Sequence, residues 1–310
     1  MTNRAIVITK FGGPAALELS TTAMPEAQAG IAIVRVKAAG INGFDWKVRE
    51  GFLKDAIKTE FPTVLGLELA GEVVAVGAGS RFVPGTRVLG LAAPGIGAYA
   101  DYVAVPEALL APTPATLGDI EAAALPVAGL TAWQMLHAAG APKPGQTVLV
   151  HGASGGVGTL LVQMARQLGL KIFATASATS RSYLIGLGVD RVIDRSVEKF
   201  EAIAENVDLV IDLAGGDAPD RSWPTLRQGG TLVSAARFDV AAPRTDGRRG
   251  IAFRMQPDSD RLGKIAEAAA AAELVVTIAE TVPLSDVPAA IERNRTGHGP
   301  GKAVADLTLA

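Results

Sequence analysis

The residues with the most evident chemistry lie in one stretch, Val148-Leu-Val-His-Gly-Ala-Ser-Gly-Gly-Val-Gly158, continued by Thr159-Leu-Leu-Val-Gln-Met-Ala-Arg-Gln-Leu-Gly169. The short apolar run predicts a buried strand, the glycine cluster a tight turn, and the remainder an amphipathic helix closed by Gly169. Glycines at 152, 155 and 158 let the backbone turn sharply, approach a pyrophosphate and pack the helix on the strand. Around Ser154, Gly155, Gly156 and Val157 the helix start supplies unpaired N–H groups and a positive dipole end, which suit phosphate oxygens. This is the chemistry of dinucleotide binding.

The following strand, Lys171–Ser177, bears on which nucleotide. NAD-binding units place a carboxylate there, about 20 residues after the glycine loop, on the ribose 2′-hydroxyl. Here the strand tip reads Ser177, Ala178, Thr179, Ser180 and Arg181, and no carboxylate occurs until Asp190. Hydroxyls and a guanidinium bond a 2′-phosphate that a carboxylate would repel. One charge-assisted hydrogen bond contributes about 1.5–3 kcal/mol, so NADPH is expected over NADH.

Positioning these groups requires a sizeable chain, and 310 residues suit two domains. Apolar and glycine content are high and aromatics sparse, as in an Ala- and Val-rich α/β enzyme. Lys and Arg number 29 against 31 Asp and Glu, without a basic cluster beyond Arg248-Arg249, which argues against a nucleic-acid partner. No apolar run reaches the ~18 residues of a membrane span, and no signal-peptide pattern opens the chain. A cytoplasmic location is the expectation. The chain has no cysteine, which removes disulfides, thiolate metal ligands and a cysteine nucleophile.

The first ~115 residues read as all-β. Short β-branched runs (Ala5–Thr9, Ile31–Ala38, Gly71–Val76, Arg87–Gly90, Tyr102–Val105) alternate with turns at Gly12–Pro14, Gly77–Ser80, Pro84-Gly85 and Pro94-Gly95. Helical segments are expected at Ile120–Leu125 and Thr131–Ala139. Beyond the glycine loop come helix Ser180–Leu187, strand Arg191–Asp194, helix Val197–Ala204, strand Val207–Asp212, a helix around Pro219–Leu226 and strand Thr231–Ala235. That alternation predicts a parallel sheet with helices on both faces. Helices Asp258–Ala272 and Ser285–Arg293, with strands at Leu274–Thr277 and Gly301–Leu307, are surplus to a nucleotide fold and are expected to return to the first domain.

With these motifs in place, the chain resembles the medium-chain dehydrogenase/reductase superfamily, in its zinc-free NADPH:quinone oxidoreductase (zeta-crystallin-like) branch. The resemblance runs end to end. It rests on Ala38-Ala-Gly-Ile-Asn-Gly-Phe-Asp-Trp-Lys47, Pro62-Thr-Val-Leu-Gly-Leu-Glu-Leu-Ala-Gly71 and Gly97-Ala-Tyr-Ala-Asp-Tyr-Val-Ala-Val-Pro106. Further on it rests on Ala122-Ala-Ala-Leu-Pro-Val-Ala-Gly-Leu-Thr-Ala-Trp133, the glycine loop, Leu187-Gly-Val-Asp190 and Leu226-Arg-Gln-Gly-Gly-Thr-Leu-Val-Ser234. It implies an α/β protein with a GroES-like β-barrel catalytic domain (residues 1–116, completed by 258–310) and a Rossmann doubly wound parallel-sheet domain (117–257) that binds NADPH. In that family the active site lies between the two domains.

The positions matching the family's catalytic zinc ligands hold Asn42, Leu67 and Val127, and the histidines at 137, 151 and 298 lack metal-site spacing, so no metal is expected. Without a Lewis acid the acceptor must take hydride readily, which points to a quinone or an activated enone or enal. By resemblance Ser177, Ser180 and Arg181 lie in the 2′-phosphate region, although several relatives place a basic residue at the position of Thr179 or Ser180. Arg195 stands where relatives carry a tyrosine near the adenosine phosphate. Thr131, Ala214 and Ala235–Arg237, including Ala236, fall near the nicotinamide and its ribose.

On the acceptor side, Asn42 is expected to bond the ribose or a substrate carbonyl, Lys47 to steady a developing oxyanion, and Asp45 to pair with a neighbouring base. His151 reads as a core or loop histidine, and His298 and Lys302 as structural. Phe44, Trp46, Phe52, Leu67, Phe238 and Phe253 are candidate pocket walls. Family members are often homodimers through the Rossmann sheet edge, here Thr231–Ala235 and Gly250–Met255. Two other readings remain open: an enoyl-thioester reductase of the same superfamily, disfavoured because no tyrosine precedes Tyr99, and a non-catalytic NADPH-binding sensor.

Overall fold

The computed structural model describes residues 2–93, 95–297 and 299–309, so Pro94 of the expected Pro94-Gly95 turn and His298 lie outside the described residues. Two compact units account for the chain. The first comprises Met1–Val127, Pro257–His298 and Lys302–Ala310, the second Ala128–Gln256 and Gly299–Gly301.

In the first unit, β1 (Asn3–Ile8), β2 (Leu17–Thr22), β3 (Ile31–Ile41), α1 (Gly43–Arg49), β4 (Thr63–Val64), β5 (Glu68–Val76), β6 (Arg87–Leu91), β7 (Tyr102–Pro106), β8 (Leu110–Pro112) and α2 (Asp119–Ala123) follow in order. Strand β1 pairs with β2 and β4 in a small antiparallel sheet. The long β3 carries the larger sheet, because it is buried along most of its length and pairs with both β5 and β7. Two register shifts between β3 and β5 bend that pair. Helix α2 packs on β3 and β5 and groups with this unit.

The second unit begins in α3 (Pro126–His137) and continues with β9 (Thr147–His151), α4 (Gly156–Gln167), β10 (Lys171–Ala176), α5 (Arg181–Gly186), β11 (Arg191–Asp194), β12 (Val207–Asp212), α6 (Ala218–Ser222), β13 (Leu226–Ser234) and β14 (Arg249–Ala252). All six strands are parallel, in the order β11-β10-β9-β12-β13-β14. The order reverses at β9, and such a switch point leaves a crevice beyond the strands' carboxyl ends. Helix α4 is buried all round from Gly158 to Ala165, its run Leu160-Leu-Val-Gln-Met-Ala165 being mostly apolar, and Gly169 (φ 70°) ends it.

The chain then returns. Helix α7 (Ser259–Ala270), β15 (Ile278–Pro283), α8 (Val287–Thr296) and β16 (Lys302–Asp306) join the first unit, with β16 antiparallel to β3 and parallel to β15. The larger sheet thereby has seven strands. Among the described residues no helix is long and apolar enough to cross a membrane.

Three expected elements differ. The helix over Val197–Ala204 is only a 3-10 turn at Phe200–Ala202. Asp194 Oδ1 accepts from the Ser196 N–H and hydroxyl (2.9 and 2.7 Å), and Glu198 accepts from the Asp194 N–H (2.7 Å), so side chains take the bonds a helix start needs. The helix around Pro219–Leu226 stops at Ser222, with a 3-10 turn to Thr225 and Leu226 already in β13. The strand expected at Leu274–Thr277 lies later, as β15, because the end of α7 runs on through Ala272 in the left-handed conformation (φ 59°) and buries Leu274.

Candidate cofactor and active sites

In the second unit each loop glycine has its own reason. Gly152 takes φ 79°, which an L side chain rarely adopts, and turns the chain off β9. A Cβ at Gly158 would overlap the Gly152 carbonyl and Ala153 backbone, so its absence sets the close packing of α4 on β9. A Cβ at Gly155 would meet only the Gly152 oxygen at 3.6 Å, which leaves the surface above it open. Gly155 is also the N-cap of α4, with no side chain closing the helix end, and the Ser154 carbonyl accepts from the Gly301 N–H (2.9 Å). The first turn of α4, from Gly156 and Val157, is therefore available to phosphate oxygens.

Beside this turn, at the ends of β9 to β12, lies a cavity of about 320 Å³ lined by Gly152, Thr175, Arg195, Ala214 and Gly215, among others. His151 closes its floor. Ser222 Oγ donates to the Ala218 carbonyl (2.6 Å), so His151 Nε2–H donates to Ser222 (2.8 Å) and Nδ1 accepts from Thr175 (2.9 Å). Burial pushes its pKa down to about 4, and the ring is a neutral packing element.

The hydroxyls of Ser177, Thr179 and Ser180 cluster at the tip of β10, with Ser177 Oγ 2.8 Å from Thr179 and 3.2 Å from Ser180. Arg181 does not join them. Its guanidinium donates to the Val192 carbonyl (3.0 Å) and Glu198 (3.2 Å), drawn across to β11 by that carboxylate. Two exposed arginines line the cavity: Arg221 pairs with Glu201 and Asp217, whereas Arg195 has no side-chain partner among the described residues. The Ala214, Ala235 and Ala236 N–H groups are also engaged. Asp212 accepts from Ala214 through its side chain (3.0 Å) and from Ala235 through its carbonyl (3.0 Å), and Ser234 Oγ accepts from Ala236 (3.1 Å). These residues offer a ligand shape and carbonyl oxygen. Thr131 is buried in α3.

In the first unit the chain leaves β3 at Ile41 and enters α1 through Asn42. Asp45, at the third helical position, reaches back to the Asn42 N–H (2.7 Å), the carboxylate half of a capping box. The Asn42 carboxamide is drawn into a buried cluster instead. Its Oδ1 accepts from the Lys302 ammonium (2.5 Å), and its Nδ2 donates to Glu68 Oε1 (2.9 Å). Lys302 also donates to the Ile41 carbonyl (2.9 Å) and pairs with Glu68 (2.6 Å), while Glu68 Oε2 accepts from the Val127 N–H (2.6 Å). Glu68 fits because Gly40 has no Cβ, which would overlap the carboxylate. Both ends of the Asn42 amide are satisfied by protein, so the expected bond to a ribose or substrate carbonyl is replaced by one to Lys302 and Glu68.

Asp45 does not pair with a base. The Tyr99 hydroxyl donates to its Oδ2 (2.7 Å), and burial pushes its pKa up to about 6, above the lowering by Tyr99, the Asn42 N–H and Lys302. Burial and the Asp45 charge hold the Tyr99 phenol well above its ordinary value. Asp45 lines an apolar cavity of about 130 Å³ whose walls include Phe44, Val48, Leu65, Leu67 and Ile96. Of the expected walls in this unit, Trp46 and Phe52 stack edge-to-face and Phe52 is largely exposed. In the second unit Phe238 is exposed and Phe253 buried. Lys47 lies apart from the cluster, its ammonium 5.7 Å from the Trp46 ring centre.

Sequence reasoning missed Glu68 and the role of Lys302. Their signal was a lysine and a glutamate inside apolar strands, where a charge needs a partner. Among the described residues no three His, Cys, Asp or Glu assemble into a metal site. At the positions matching metal ligands, the carboxamide and two aliphatic side chains form no metal-binding set.

Comparison with known proteins bears on this geometry. The alcohol dehydrogenase GroES-like domain matches residues 28–115, and the zinc-binding dehydrogenase family matches 187–304. The chain is 32% identical over 314 residues to the chloroplastic NADPH-dependent alkenal/one oxidoreductase of Arabidopsis thaliana, covering 97% of this chain and 78% of that protein. The structure of the quinone oxidoreductase from Coxiella burnetii superposes with a TM-score of 0.89 at 32% identity, covering 99% of this chain and 100% of that one. Escherichia coli quinone oxidoreductase complexed with NADPH gives 0.88 at 26% identity, over 98% and 99%.

Proposed function

Because this chain belongs to the zinc-free quinone oxidoreductase branch of the medium-chain dehydrogenase/reductases, we propose that it transfers hydride from NADPH to a quinone or an activated enone or enal. The observation that carries this reading is the pairing of chemistries in the two units. The second has an open glycine turn with hydroxyls and a cation where NAD-binding units have a carboxylate. The first has a small apolar cavity with one buried acid in its wall.

Ser154, Gly155, Gly156 and Val157 take the pyrophosphate. Ser177 and Ser180 take the 2′-phosphate with Arg195, since Arg181 is bound to Glu198. Thr131, Ala214, Ala235 and Ala236 shape the nicotinamide end. The cofactor supplies the hydride; the protein's part is to orient it and exclude water. The first unit, α2 included, forms the acceptor side and the second the cofactor side, with Asp45 and Lys47 nearest the acceptor and the Asn42 N–H holding Asp45. Strand β14 is an edge of its sheet, and we assign homodimer contacts to it and to β13.

The test is NADPH oxidation with a panel of para-benzoquinone, a phenanthrenequinone, an alkyl vinyl ketone, an alkenal and crotonyl-CoA, each repeated with NADH. Turnover of quinones or of the enone and enal, faster with NADPH, is the expected result. Turnover of the thioester alone points to an enoyl-thioester reductase, and tight NADPH binding without turnover of any acceptor overturns the catalytic reading.

A further inference from the structure

We propose that Asp45 is the proton donor for the enone reaction, delivering the proton on its Oδ1 to the α-carbon once hydride has reached the β-carbon. This rests on the reading of the chain as an NADPH-dependent enone reductase. Three observations converge on that carboxyl. Among the described residues it is the only acid in the wall of the 130 Å³ apolar cavity. Its Oδ2 accepts from both the Asn42 N–H (2.7 Å) and the Tyr99 hydroxyl (2.7 Å), so two fixed donors already hold that oxygen. Its Oδ1 has no partner among the described residues and is the oxygen left to carry a proton.

The step balances. Hydride addition to the β-carbon moves the alkene electron pair toward the carbonyl and gives an enolate. The O–H bond of Asp45 then breaks, a C–H bond forms at the α-carbon, and the carboxylate remains. Tyr99 and the Asn42 N–H stabilise that carboxylate, and the Lys302 ammonium adds a favourable charge through the cluster. Water returns the proton.

The charges around Asp45 are accounted for. Glu68 opposes its ionisation and is itself paired with Lys302. On α1, Lys47 lies over Trp46 and Arg49 pairs with Glu50 and Glu292. On α8, Arg295 pairs with Glu50. Lys58, which also lines the cavity, is exposed and pairs with Glu60. Burial holds the Asp45 carboxyl at about 6, so a useful fraction is protonated near neutral pH.

The experiment compares wild type with Asp45→Asn and Tyr99→Phe, using NADPH with an α-methyl enone and with para-benzoquinone, whose reduced oxygens take protons directly from water. Wild-type enone turnover should fall about tenfold per pH unit above about 6. Asp45→Asn should lower the ratio of enone to quinone turnover about 10²–10⁴-fold, and the α-methyl centre should form without stereochemical preference. Tyr99→Phe removes a bond that favours the carboxylate, so the falling limb should move up by about one pH unit.

A direct readout needs no cofactor. In the apo protein an infrared band of a protonated carboxylic acid should disappear as pH rises through about 6, and Asp45→Asn should lack it. An unchanged turnover ratio with retained stereochemistry in Asp45→Asn overturns the assignment, and so does absence of the band. If wild type turns over neither acceptor, the reductase reading itself fails, and the proton-donor role with it.

Discussion

Removing the Lys302 ammonium should unfold the first unit more readily than any surface change, because it strands a charge with no route to water. The Glu68 side chain is 0% exposed and that of Lys302 7%. The ammonium's three donors go to Glu68, Asn42 and the Ile41 carbonyl at 2.5–2.9 Å. In Lys302→Met, Glu68 keeps only the neutral donors Asn42 and Val127. Breaking a buried pair on one side costs about 3–5 kcal/mol, whereas replacing both partners with neutral groups of similar size is often tolerated. Lys302→Met should therefore lose about 3–5 kcal/mol, and Lys302→Met/Glu68→Gln should recover most of it. At roughly 2–4 °C per kcal/mol for domains of this size, the single variant melts about 6–20 °C lower. Urea unfolding of the four proteins of the cycle, followed by Trp46 fluorescence, gives the coupling energy. A single variant within about 1 kcal/mol of wild type, or a double variant no better than the single, would refute the view that this pair is a closed unit.

Other outcomes follow from the same geometry. Arg195→Ala should reduce the preference for NADPH over NADH about 10- to 100-fold, while Arg181→Ala mainly loosens its contact with β11; equal effects on cofactor preference would show that Arg181 leaves Glu198 when cofactor binds. Ser177→Asp should shift preference toward NADH in steady-state kinetics with both cofactors, since a carboxylate repels the 2′-phosphate. Gly158→Ala forces a methyl into the Gly152 carbonyl, so denaturant unfolding should show a loss of about 1–3 kcal/mol, with weaker cofactor binding by titration. Asp45 has a folded pKa of about 6 against 3.8 for the free group, so the folded state binds more protons between those values and stability falls as pH rises through that window. Asp45→Asn should thus gain about 1–3 kcal/mol at pH above 6 and little at pH 4, read from chemical unfolding at both.

The second unit was legible because its signals are local. Strand, glycine turn and helix follow one another within about twenty residues, and a continuous apolar run gives way at the turn to glycines and then to a longer helical segment. Each glycine then has one physical reason to be there. The return of the C-terminal strands was legible too, since a parallel sheet already complete has no place for them. Short connecting pieces were not, because side-chain bonds from Asp194 and Glu198 outweighed a weak helical pattern over Val197–Ala204.

The acceptor side was half legible, and the missing half explains why. Asn42 and Asp45 stand within one helix start and could be singled out by type. What they do depends on Lys302, 260 residues away from Asn42 in the chain and brought beside it by β16 pairing with β3. With that lysine in place, the Asn42 carboxamide is saturated and its backbone N–H becomes the useful group, holding one oxygen of Asp45 and leaving the other free. The acid is distinguished from the other thirty Asp and Glu residues by what surrounds it, not by its own motif. A carboxyl at an apolar wall, with one oxygen fixed by neutral donors and the nearest cation already paired with Glu68, can hold a proton near neutral pH. The same carboxyl exposed at a helix start would remain a simple cap.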